Sequence, residues 1–152
     1  MIEPPRGSYS ARLDDKGRLK LPADFQQFFS ALREKKLFVT SLDKRTAQVY
    51  PIQIWRQNEK FFESYHEDPK TARLMAFRGA HYGGEADMDG QGRILFPQEL
   101  RRKLGIENQP VRMYAYKGHI RVMSEAVYEQ HVQECEQLAA DAVDKLEMAG
   151  LV

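Results

Sequence analysis

Leu13-Asp14-Asp15-Lys16-Gly17-Arg18-Leu19-Lys20-Leu21-Pro22 returns 75 residues later as Met88-Asp89-Gly90-Gln91-Gly92-Arg93-Ile94-Leu95-Phe96-Pro97. Asp, Gly, Arg and Pro keep their spacing, and three further positions stay apolar. Such self-similarity marks repeated supersecondary units. In both copies the proline opens a helical pattern, since proline in a first helical turn sacrifices no intrahelical hydrogen bond. Pro22-Ala23-Asp24-Phe25 leads through Phe28, Phe29 and Leu32. Pro97-Gln98-Glu99-Leu100 leads through Leu104 and stops at Gly105, a helix-ending residue.

Outward from this repeat, each copy offers two β-prone apolar runs that read as a hairpin. In the first they are 37–40 and 47–50, around Asp43-Lys44-Arg45; in the second, 111–116 and 119–122, around Lys117-Gly118. Helices are expected next, from Pro51 and from Ser124, and Trp55 and Tyr128 then align at an offset of 73. Each half is strand, Gly-Arg turn, strand, short helix and hairpin in about 45 residues. Chains that short rarely bury enough surface to fold alone, so the halves are expected to complete one core. The reading is an α+β chain: a first β-rich module over 7–53, a helical connector over 54–80, a second module over 81–124, and one acidic C-terminal helix over 125–152. Along that helix Tyr128, Val132, Cys135, Ala139, Ala142, Leu146 and Ala149 form a heptad-like seam, for packing within or between subunits.

The Asp-x-x-Gly-Arg turn has two readings. Asp followed three residues later by Gly is ordinary turn chemistry, and the Arg could simply pair with the Asp. The planar guanidinium also suits phosphate oxygens or a guanine edge. Two copies in one setting make the turn the signature of a fold. They differ in charge: Arg12, Lys16, Arg18 and Lys20 stand against Asp14 and Asp15 in the first, whereas Arg93 alone stands against Asp87 and Asp89 in the second. Copy one is therefore expected to touch DNA, and copy two to serve mainly as scaffold.

The repeated Asp-x-x-Gly-Arg-apolar-x-apolar-Pro pattern resembles the AbrB-type swapped-hairpin module, and two such modules in one chain resemble the MraZ family of bacterial transcription regulators. The resemblance runs from Gly7 to the C-terminal helix. It implies an intrachain pseudo-dimer of swapped hairpins and a ring-shaped homo-oligomer. It also implies repression of a promoter with short repeated boxes, that of a division and cell-wall gene cluster. The family's Asp-x-x-x-Arg motif maps onto Asp14 and Arg18 and onto Asp89 and Arg93. With the charge argument, the expected DNA-binding set is Arg12, Asp14, Lys16, Gly17, Arg18, Lys20, Asp89, Gly92 and Arg93. Gln26 stands where the family's first copy often has Arg.

Bulk properties fit this reading. The net charge of the 152-residue chain is only +1, but residues 124–152 carry −6, leaving +7 on the rest. A basic body with an acidic tail suits a polyanion partner, with the tail turned away from it. A single cysteine, Cys135, implies a reducing compartment, and no secretory signal or membrane-length apolar run is read. The expected location is cytoplasmic and nucleoid-associated. Neither a cofactor nor a small-molecule substrate is expected. Gly90-Gln91-Gly92 begins like a dinucleotide fingerprint, but Leu95 takes the third glycine's place. His131 and Cys135 have metal-ligand spacing but no further ligands beside them. An enzyme is not expected. The competing readings are an antitoxin-like AbrB regulator, disfavoured by a patterned helix where a disordered toxin-binding tail would be, and a ring-forming structural protein without specific DNA binding.

Overall fold

A computed structural model describes residues 2–152. The order is β1 (Ser8–Leu13), β2 (Arg18–Lys20), α1 (Ala23–Ser30), β3 (Leu37–Thr40), β4 (Ala47–Pro51), α2 (Ile52–Ser64), α3 (Pro69–Tyr82), β5 (Gly84–Ala86), β6 (Arg93–Leu95), α4 (Gln98–Leu104), β7 (Pro110–Tyr116), β8 (His119–Ser124), α5 (Glu125–Glu136) and α6 (Ala142–Ala149). The chain is α+β. All strands join one antiparallel sheet in the order β5-β3-β4-β8-β7-β1-β2-β6. Its two edges, β5 and β6, are consecutive in the chain and joined only by residues 87–92, so the sheet curls into a nearly closed barrel.

Strands of the two copies alternate in pairs through that sheet. β1 of the first copy pairs with β7 of the second, Ala11 opposite Val111, and β5 of the second pairs with β3 of the first, Ala86 opposite Leu37. At the β6 end of the order β2 meets β6 with Leu19 opposite Ile94, flanked by Arg18–Leu95 and Lys20–Arg93, a register symmetric about the Leu19–Ile94 pair. Equivalent residues therefore line one core: Leu19 and Ile94, Leu21 and Phe96, Phe25 and Leu100, and Val49 and Val122 are all buried.

The helices clamp the outside. α3 starts as its sequence dictates, with Pro69 in the first turn and Asp68 accepting the Thr71 amide at 3.1 Å. Trp55 on α2 stacks on Phe38, ring centres 4.5 Å apart, and so holds α2 against β3. Its counterpart Tyr128 on α5 accepts from Ser8 Oγ at 2.9 Å and carries the Arg112 guanidinium over its ring at 4.0 Å. The Lys117-Gly118 loop has positive φ at both residues, as a two-residue hairpin requires.

Two expectations are corrected. α1 stops at Ser30, so Leu32 packs from the following loop. The C-terminal segment is two helices, not one, with a break over 137–141, so the seam from Tyr128 to Ala149 is not a continuous stripe. Charge explains the break: Glu134 and Glu136 load the carbonyl end of α5 with negative charge, while Asp144 favours a fresh amino-terminal turn.

Candidate nucleic-acid interface

Each turn is built around its aspartate. Asp14 Oδ1 accepts from the amides of Lys16 and Arg18, both at 2.9 Å, and Oδ2 accepts from Arg18 Nε at 2.8 Å. Asp89 repeats the pattern with the Gln91 and Arg93 amides and Arg93 Nε, all at 2.9 Å. The Arg18 amide above all, helped by its side chain and the Lys16 amide, holds the Asp14 carboxyl down at about 2 against partial desolvation. Asp89 is lowered by the same causes, the Arg93 amide first. The two sequence readings are thus compatible: the carboxylate takes the Nε edge of each guanidinium and fixes its orientation. Side-chain exposure of 30% at Arg18 and 24% at Arg93 leaves both in reach of solvent.

The turns lie side by side. Leu21 donates its amide to Gly92 O and Phe96 donates to Gly17 O, each at 2.9 Å, so each copy's strand end closes on the other copy's turn. Lys20 Nζ reaches the Gln91 carbonyl of the second turn. Arg12 donates to Asn108 O at 2.9 Å, and Lys16 sits exposed at the tip of the first turn. The nine residues expected from sequence therefore gather in one region, but Lys20 and Arg12 also tie the copies together.

The sequence placed α4, ending at Gly105, but its basic residues were not among the expected site residues. Its last turn carries Arg101, Arg102 and Lys103 and closes at Gly105 in the left-handed region, φ +65°. Arg101 donates to the Phe96 carbonyl and lies 3.7 Å from Glu107, beneath the first turn. Gly17 (φ +82°) could carry no Cβ without meeting that guanidinium. At the second turn the same place beside Gly92 (φ +75°) is filled by the Gln26 amide. Gln26 and Arg101 are equivalent positions, 75 apart, and each supports the turn of the other copy. The offset was visible in the sequence; the crossing was not.

Among the described residues no group of three or more His, Cys, Asp or Glu is placed to hold a metal ion, and no helix is long and apolar enough to cross a membrane.

Residues 76–147 match the family described as "MraZ protein, putative antitoxin-like". The chain is 31% identical over 128 residues to the Transcriptional regulator MraZ of Acidobacterium capsulatum, covering 84% of this chain and 87% of that one. It is 33% identical over 105 residues to that of Koribacter versatilis, covering 68% and 71%. With the protein of Shewanella oneidensis it shares 25% over 133 residues, 87% of each. These relatives bear the name of a transcription regulator and not of an enzyme. The repeated turns, the alternating strands and an identity spread over both copies converge: this chain belongs to the MraZ family.

Proposed function

We propose that this chain represses transcription by binding promoter DNA with its paired Asp-x-x-Gly-Arg turns. One observation carries the reading: two aspartate-oriented guanidinium groups, Arg18 and Arg93, stand on adjoining turns locked by reciprocal backbone bonds. Arg12, Lys16 and Lys20 surround the first turn, and α4 adds three basic residues. Basic side chains near a tight turn give the phosphate attraction, and the oriented fork gives base readout. The symmetric β2–β6 register supports an intrachain pseudo-dimer of swapped hairpins, with modules near 7–53 and 81–124.

A single chain offers few cations at the turns and so neutralises few phosphates. Tight binding then needs several chains, joined as a ring, on several adjacent boxes, because linkage raises effective concentration. The location that follows is the cytoplasm, on the nucleoid. In the test, the full chain is titrated onto the DNA upstream of its own gene, carrying one box or four, across a salt series. Four boxes are expected to bind far more tightly and with a steeper salt slope, near −0.9 per phosphate contacted. Equal affinity and slope for both would refute the repeat-counting mechanism, and no shift on either would refute DNA binding.

A further inference from the structure

Among the described residues, α3 and α6 each leave large apolar side chains exposed. On α3, Leu74 and Phe77 are 57% and 68% exposed, on a stripe with Lys70, Arg73 and His81. At the other end of the chain, α6 has no buried residue, with Val143 and Leu146 54% and 57% exposed. An isolated eight-residue helix is far too short to be stable in water. It needs an apolar surface.

Charge selects which. α6 carries Asp144 and Glu147, its one cation Lys145 is paired with Asp141 at 3.4 Å, and the tail as a whole carries −6, whereas the α3 stripe carries Lys70 and Arg73 and no acid. The groove of about 440 Å³ between α2 and α3 is the other apolar hollow nearby, but Glu59 and Glu63 line it and would repel an acidic helix. We infer that α6 of one chain docks on the outer stripe of α3 of a second copy, Val143 and Leu146 against Leu74 and Phe77, with Glu147 and Asp144 facing the basic side chains. The contact is heterologous: donor and acceptor surfaces differ, so every chain can give one helix and receive another, and the assembly extends until it closes. The inference rests on the self-association in the proposed function and on nothing about DNA.

Two surface variants test it without DNA. Phe77→Glu spoils every acceptor and Leu146→Glu every donor, while circular dichroism and the melting temperature confirm an unchanged fold. By light scattering at micromolar concentration, wild type is expected to assemble and each variant alone to be a single chain. Mixed one to one, the intact α6 of the first and the intact α3 of the second make one junction, and a species of two chains is expected. A single-chain wild type, variants that still assemble as wild type does, or a mixture that stays as single chains would each overturn the inference. Separately, failure of DNA binding would leave these results unchanged.

Discussion

Arg101 fills the space that any side chain at Gly17 would need, so the second copy's helix supplies the floor of the first copy's turn. The guanidinium is held by the Phe96 carbonyl, and Phe96 in turn donates its amide to Gly17 O at 2.9 Å. Turn one thus rests on a cation and turn two on the neutral amide of Gln26.

Gly17→Ala is therefore expected to weaken DNA binding through displacement of Arg101. The left-handed backbone, φ +82°, adds a stability cost of about 1–2 kcal/mol. Arg101→Gln gives turn one the support that turn two has. It should lower DNA affinity while shifting the melting temperature less than Gly17→Ala does. Affinity by fluorescence anisotropy, paired with thermal denaturation, checks both.

Arg18→Ala is expected to abolish specific binding with the fold intact, and Arg93→Ala to do less. Local charge around the turns and the placement of Arg101 both favour the first. Loss of one bidentate base contact lowers affinity roughly 10- to 100-fold per site, more where several chains bind together. Equal losses for the two variants would show that both turns share the work.

His119 should make the fold acid-sensitive. It is 6% exposed, its ring lies 4.6 Å from Tyr50 and 6.1 Å from Tyr116, and its Nε2 has no hydrogen-bond partner. Burial first, then the charges of Arg121 and Lys117, push its pKa down to about 4, against a backbone hydrogen bond at Lys117. The unfolded chain takes up a proton near 6.5 that the folded chain refuses, so stability is lost as pH falls from about 6.5 to about 4. At about 1.4 kcal/mol per pH unit the loss is at most ~3.5 kcal/mol. Asp14 acts in a different window: its contribution is intact above 3.8 and fades as pH falls through about 2. Denaturant midpoints at pH 7, 5.5 and 4.5 should decline in the native chain and flatten in His119→Phe.

Leu19→Ala and Ile94→Ala should each cost about 2–5 kcal/mol, as for other buried aliphatic truncations. Since the two residues face each other across β2–β6, the double variant should lose a different amount from the sum of the singles. Because one core takes side chains from both copies, melting should remain one transition. Two separated transitions by calorimetry would mean that the halves fold independently.

The repeat was enough to read the element order, since Asp, Gly, Arg and Pro at fixed spacing dictate turn, strand and helix start locally. What escaped was long-range. Nothing local tells that Gln26 and Arg101 cross over to each other's turns, or that the Lys20 ammonium is taken by Gln91. The break after Glu136 has no glycine or proline to announce it, and apolar spacing alone carried the helix through. The acidic pair at the end of α5 was the available signal.

Leu19 opposite Ile94 is the centre of a symmetry that the gene itself does not obey. In an assembly of two identical chains, a change in one such turn is necessarily made in both, and the surface reads the same in either direction. Here each turn is encoded once and can drift alone, as Lys16 against Gln91 and Gln26 against Arg101 already have. The face around the central pair has a left and a right, and whatever lies along it does so with a polarity.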